Sequence, residues 1–283
     1  MNITAQTQFK QIKFDSRYFT VHEISLGVYI LLKTQGSPIG ANAVFVDLGE
    51  EVLLFDTFAF MPATLEALVA IQQITRKPLK YVVNSHFHTD HILGNSVISP
   101  KVSIISGPIT FKKISEYTVE KLKKWKEIAP MELLRLNQQL DNCTELAKKE
   151  EIQWDLQFFQ MINEPSFHYR LPNMLFKAKI ELVGMKRNII LINSRQKHTV
   201  EDIYAYLPND KICFVGDLIF NNLNEIDIDK AVMPFTMDPH SHIDLLNELL
   251  KLPIETFVCG HGVIGSRSTV EENIQFIKKW FLK

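Results

Sequence analysis

The stretch His86-Phe87-His88-Thr89-Asp90-His91 decides how this chain is read, because it sets four potential metal ligands within six residues directly after the apolar run Leu79, Tyr81, Val82 and Val83. A helix would scatter those side chains around its circumference, whereas a strand that ends in a tight turn can aim them at one point. Imidazole nitrogens with a carboxylate oxygen suit a borderline divalent cation, zinc first, while an all-carboxylate set would suit magnesium or calcium. A lone HxH pair arises easily by chance. HxHxDH at a strand end does not.

The rest of the chain supplies partners for such a motif. Of nine histidines, five sit where a two-metal site needs them: His86, His88, His91, His198 and His261. His198 follows the strand-like run 189–192, Asp217 follows Ile212-Cys213-Phe214, and His261 follows Thr256-Phe257-Val258. In layered α/β folds functional groups collect where strands end in loops, since the sheet holds them rigid and the loop exposes them.

With these residues in place, the chain resembles the metallo-β-lactamase-fold superfamily of metal-dependent hydrolases from about Gly40 to His261. The resemblance implies an α/β fold, a four-layer αββα sandwich. It assigns His86, His88 and His198 to a first metal, Asp90, His91 and His261 to a second, and Asp217 to a bridge between them. Asp56, in Leu54-Phe55-Asp56-Thr57, would support the metal loop from behind. The implied cofactor is two zinc ions, with iron or manganese as alternatives. Two such cations about 3.5–4 Å apart hold a bridging hydroxide formed near neutral pH. Asp90 is the expected catalytic side chain, orienting that nucleophile or taking its proton. No G-x-S-x-G elbow of a serine hydrolase is present.

Composition agrees with a soluble intracellular enzyme, and the resemblance implies a small-molecule substrate. At 283 residues, 46% hydrophobic, with a net charge of −1, the chain can bury a sizeable core and offers nucleic acid or an anionic membrane no obvious attraction. The polar N-terminus and the lack of an apolar run of roughly 18 residues lead us to expect a cytoplasmic protein. Three cysteines argue against a disulfide framework.

The pattern along the chain is read as a single domain, 1–283. Strand hairpins fill 20–60, a helix with apolar Leu65, Leu68, Val69 and Ile71 follows, and short strands at 96–99 and 102–106 come after the metal motif. Strands near 175–183, 188–193, 203–207 and 211–216, a helix near 241–251, a strand at 255–259 and a terminal helix at 268–281 complete the alternation. Residues 111–163 break it. They carry nine basic and nine acidic residues and read as amphipathic helices broken at Pro130. Such a helical insertion would be either solvated packing on the scaffold or a cover over the metal cleft, forming a substrate pocket or a homodimer contact.

Other residues receive structural readings. Cys259 is expected in the core, His240 and His242 at a helix start, Lys197 in solvent, and Glu201 and Asp202 either as orienters of His198 or as turn formers.

Substrate choice is narrowed by Asp217. Class B β-lactamases of this fold tend to carry Cys or Ser there, whereas esterase-, lactonase-, thioesterase- and nuclease-like members carry Asp. Homoserine-lactone lactonases tend to place a Tyr shortly after that Asp; Leu218, Ile219 and Phe220 follow here. The surrounding wording looks most like poorly characterised hydrolases of the fold, including quinoprotein-relay-like ones. The expected activity is that of a zinc-dependent metallohydrolase cleaving an ester, thioester, lactone or amide. The alternatives are hydrolysis of β-lactam antibiotics, a mononuclear iron persulfide dioxygenase, and a non-catalytic metal-binding protein.

Overall fold

In the computed structural model of the protein, residues 9–221, 223 and 235–282 are described. Two sheets face each other. The first has eight strands in sequence order: β1 (Lys10–Ile12), β2 (Phe19–Ser25), β3 (Val28–Lys33), β4 (Ala43–Asp47), β5 (Val52–Phe55), β6 (Leu79–Val83), β7 (Ser103–Ser106) and β8 (Met174–Leu175). It is antiparallel up to β5 and parallel from there to β8. The second sheet runs β13 (Thr256–Cys259), β12 (Ile212–Gly216), β11 (Asp202–Leu207), β10 (Asn188–Ser194) and β9 (Lys179–Val183), with β12 and β13 parallel.

The layering follows from which faces are apolar. Val28, Ile30, Val46, Leu53 and Phe55 of the first sheet meet Leu191, Ile203, Ala205, Phe214 and Val258 of the second in one buried core. The other face of the first sheet packs against α1 (Met61–Thr75) through Ala63, Ala67 and Ile71. The outer face of the second packs against α6 (Pro239–Lys251) and α7 (Arg267–Phe281) through Leu246, Leu249, Val270, Ile274 and Ile277. The order is therefore α, β, β, α. Strands buried on both faces have no room for polar alternation, which is why β5, β12 and β4 up to Val46 read as continuous apolar runs.

Several expectations about the elements need correction. Of the apolar positions expected to face the core in α1, Ile71 and Leu68 do so, but Leu65 and Val69 point to solvent at 44% and 48% exposure and Ala63 and Ala67 make the rest of the contact, because small side chains let the helix sit close to the sheet. Residues 93–97 form a 3-10 turn instead of a strand, continuing the short α2 (Thr89–Ile92) that carries Asp90 and His91. The stretch 175–183 is split, its two parts pairing in different sheets.

The insertion is an antiparallel helix pair. After α3 (Pro108–Lys113) and a π-type turn at Ile114–Thr118 come α4 (Val119–Asn142) and α5 (Leu146–Asn163). Pro130 does not break α4; it is exposed, so the one intrahelical hydrogen bond it removes leaves a carbonyl within reach of water. The break comes at residues 143–145 instead. Leu136, Ile152 and Leu156 close the pair on itself, and Leu122 and Ile162 pack on Met61 and Leu93, the latter just beyond the metal motif. Trp154 and Phe158 reach the core under α1. Among the described residues no helix is long and apolar enough to cross a membrane.

Phe214 lies between the two sheets with its ring 5.9 Å from that of Phe55. Phe214→Ala should cost about 3–5 kcal/mol, read as a lower denaturant midpoint at unchanged slope; an unchanged midpoint would mean the sheets do not depend on that contact.

Candidate metal centre

The metal loop is built by hydrogen bonds before any side chain reaches the site. Asp56, at the end of β5, adopts a left-handed backbone with φ +65° and is buried. Its Oδ1 accepts from the Ser85 backbone N–H at 2.8 Å, and its Oδ2 accepts from Ser85 Oγ at 2.8 Å and lies 2.7 Å from His91 Nδ1. Burial pushes the Asp56 carboxyl up, against the pull of His91 and these hydrogen bonds. Behind the loop, Asn95 accepts from Thr57 Oγ1 at 3.0 Å and donates to Asn84 Oδ1 at 2.8 Å, and the Tyr169 hydroxyl donates to the Ile92 carbonyl at 3.0 Å. The turn that a strand-end motif requires is thereby fixed from three sides.

The second sheet brings the remaining donors. Asp202 accepts from the Thr199 backbone N–H at 2.9 Å and so shapes the turn that follows His198, whose Nδ1 is 3.1 Å from the Phe235 carbonyl. Gly260 N–H donates to the Gly216 carbonyl at 2.7 Å, joining the loops that carry Asp217 and His261. A methyl group on Gly260 would fall 2.2 Å from Asp217 Oδ1 and 2.8 Å from His91 Cε1, so only glycine allows this approach. Asn42 donates through Nδ2 to the carbonyls of Cys259 and Gly262, tying the first sheet to the last loop.

All seven side chains expected as ligands converge. His86, His88, His198 and Asp217 form one group and Asp90, His91 and His261 another, with donor atoms in each within 4.8 Å of one another. Asp217 is common ground. Its Oδ2 lies 3.2 Å from His261 Nε2, 3.7 Å from His198 Nε2 and 3.8 Å from His86 Nε2, and its Oδ1 lies 3.3 Å from His91 Nε2. His261 Nε2 is also 3.3 Å from Asp90 Oδ2. His86 Nε2, His91 Nε2 and Asp217 Oδ1 are buried with no hydrogen-bond partner among the described residues. His88 Nδ1 and His198 Nε2 face each other at 3.4 Å. Buried polar atoms left without partners are costly, and nitrogens that converge with carboxylates suit divalent cations of the zinc type.

Electrostatics divide the imidazoles. Burial, then the other histidines, hold His86 well below its ordinary value and His88 at about 4. Burial acts the same way on His91 and His261, but Asp217 and Asp90 outweigh it, lifting His91 well above its ordinary value and His261 to about 9. Burial opposes ionisation of Asp217 and Asp90, yet His261 and His91 hold Asp217 well below the carboxylate range and Asp90 at about 2.

Other readings resolve plainly. Cys259 is buried in the core. Asp238 caps α6 by accepting from Ser241 N–H; His240 is exposed, and His242 is buried with Nε2 2.9 Å from the Leu218 carbonyl. Lys197 is half-buried, donating to the Arg195 carbonyl and to Ser241 Oγ, because α6 closes over it. Glu201 does not orient His198; its carboxylate accepts from Thr110 N–H and Asn193 Nδ2, joining the second sheet to the first turn of α3. Sequence reasoning missed Phe220, whose ring stacks on His261 at 5.9 Å and meets His198 edge-on at 5.6 Å. Its position three residues after Asp217 was the available signal.

The description "Metallo-beta-lactamase superfamily" matches residues 36–261. The chain belongs to that superfamily. Among solved structures, a metallo-beta-lactamase from Pontibacter korlensis is similar at a TM-score of 0.61 and 17% identity, over 96% of this chain and 99% of that one. TMB-1 is similar at 0.62 and 16%, over 93% and 99%. At such identities the likeness concerns the fold. No curated protein matches.

Two outcomes are expected in solution. Gly260→Ala should displace the Asp217 carboxylate and abolish binding of divalent metal, measured by elemental mass spectrometry, while circular dichroism stays native; full metal loading in that variant would contradict the packing described. Imidazoles bind cations only when neutral, so the protons that His91 and His261 keep in the metal-free protein must leave on binding. Metal affinity should therefore rise with pH up to about 9, where His261 titrates, and weaken toward pH 6. Calorimetry in buffers of different ionisation enthalpy should register the released protons, and uptake without proton release would count against these shifts.

Proposed function

We propose that this chain is a dinuclear zinc hydrolase that cleaves an ester, thioester, lactone or amide bond in a small molecule. The observation that carries the reading is the Asp217 carboxylate, which lies against imidazoles of both ligand groups. On this reading His86, His88 and His198 would hold one cation, Asp90, His91 and His261 a second, and Asp217 both, with Asp56 fixing the ring of His91. Bound there, divalent cations supply Lewis acidity and bring the pKa of coordinated water toward neutrality.

The chain's own residues do the rest. Asp90 lies both in the second ligand group and on the wall of the adjoining cavity, where it can orient the attacking water and receive its proton. Asp56 keeps His91 Nδ1 engaged, so that Nε2 is the nitrogen turned to the site. Phe220 packs against the rings of His198 and His261 and helps hold their orientation. An Asp at 217, in place of the Cys or Ser of dedicated class B β-lactamases, favours ester, lactone and thioester substrates over lactams.

The test is metal content of the purified, unsupplemented protein, followed by a panel of esters, lactones, thioesters and lactams. About two zinc per chain, falling sharply in Asp217→Ala, together with turnover that Asp90→Asn lowers by about 10²–10⁴-fold, is the expected result. One iron per chain, with oxygen consumed in the presence of persulfides, would replace this reading with the dioxygenase.

A further inference from the structure

The cavity beside the candidate metal centre has two walls of different origin. One is the metal loop, through Phe87, His88 and Asp90; the other is the insertion, through Tyr117, Thr118 and Lys121. It encloses about 310 Å³, at the small end of the range for ligand pockets. The second wall is set where the π-type turn Ile114–Thr118 gives way to α4, and such turns recur at functional sites. This wall is anchored: Leu122, one turn beyond Thr118, packs on Met61 and Leu93, and Trp125 adjoins the same cluster.

The chemistry of the lining is uneven. Phe87 and Tyr117 contribute aromatic rings, and Lys121 is the only lysine or arginine among the lining residues. Of the neighbouring lysines of the insertion, Lys112 and Lys123 are drawn to Glu116 and Glu120, and Lys113, which does not line the cavity, lies over the Tyr117 ring at 4.7 Å. Lys121 Nζ instead lies 4.5 Å from the centroid of the Trp125 ring. A cation over an aromatic face keeps much of its hydration and its remaining donors, so it is positioned yet still able to take an anion. The acidic side chain facing the cavity, Asp90, is turned toward His261 and His91 at 3.3 and 3.7 Å.

Resting on the hydrolase reading above, we propose that this cavity is the acyl pocket and that Lys121 selects substrates ending in a carboxylate. The substrate class is a short acyl compound whose scissile carbonyl lies at the metal loop. A flat or aliphatic stretch would pass between Phe87 and Tyr117, and an anionic group would reach Lys121. Lys121 is a specificity-determining residue that takes no part in the bond cleavage.

Binding and turnover separate this inference from the reading it rests on. Phenylbutanoate and its neutral primary amide are titrated calorimetrically into the zinc-loaded full chain and into Lys121→Gln, Lys121→Arg and Lys124→Gln. Lys124 is an exposed residue of the same helix that does not line the cavity. The wild type should prefer the acid. Lys121→Gln should weaken the acid by about fivefold and leave the amide unchanged, Lys121→Arg should restore it, and Lys124→Gln should have no effect. No preference for the acid, or a preference that survives Lys121→Gln because the carboxylate sits on the metal ions, would overturn the inference. In parallel, mono-para-nitrophenyl glutarate and para-nitrophenyl pentanoate are offered as substrates. Lys121→Gln should raise KM for the glutarate alone with kcat little changed. Failure to cleave either ester would count against the hydrolase reading, while the calorimetric result would still decide the role of Lys121.

Discussion

A buried carboxylate in an unfavourable backbone conformation holds the rest together. Asp56 takes φ +65°, loses water on every side, and recovers its hydrogen bonds from one residue, Ser85, and one ring, that of His91. A non-glycine residue in that region of conformational space is costly and persists only where its surroundings insist on it. Here the surroundings are the ends of two adjacent parallel strands, since Asp56 N–H also donates to the Val83 carbonyl. These hydrogen bonds fix where β6 stops and which way the metal loop departs. His86 takes its place next to Ser85, with Nδ1 2.9 Å from Ser85 Oγ. The four candidate donors of this loop depend on that arrangement.

The second sheet meets this loop through equally local contacts. Ile203 N–H donates to the Ser85 carbonyl at 2.7 Å, and Asn42 grips the loop after β13 from the far side. The donors of the two sheets therefore converge because backbone groups, together with the side chain of Asn42, lock the strand ends to one another. The candidate site is preorganised by its scaffold, as metal sites supported by surrounding hydrogen bonds generally are.

How much of this could be read from the chain depended on how far each signal reaches. The donors were legible because a strand end restricts where a side chain can go, and the same short pattern of apolar run followed by polar residue occurs at Asp217 and His261. The sheets were legible for a similar reason, since β5, β12 and the first four residues of β4 are apolar runs. What stayed hidden depends on contacts between distant segments. Nothing local to Glu201 shows that its partner is the backbone of Thr110, and nothing in α1 shows that alanines would make part of the contact while Leu65 faced solvent. Pro130 misled because a proline stops a helix reliably only where the lost hydrogen bond cannot be replaced, and on an exposed face water can replace it. Lys121 was invisible because its place at the cavity depends on how α4 packs, through Leu122, on Met61 and Leu93 far away in the sequence.

The helical insertion is clamped at both of its ends and at little cost to what lies between. At its start, the backbone of Thr110 is held by Glu201. Just past its end, Tyr169 holds the Ile92 carbonyl, and Arg170 reaches the carbonyls of Ile98, Ser99 and Val102. None of these anchors is a candidate metal donor, and none lines the cavity. In evolutionary terms the segment between them is a cassette. Its cavity-facing turn, from Tyr117 to Lys121, includes no anchor and no candidate metal donor, so side chains there can change without removing either.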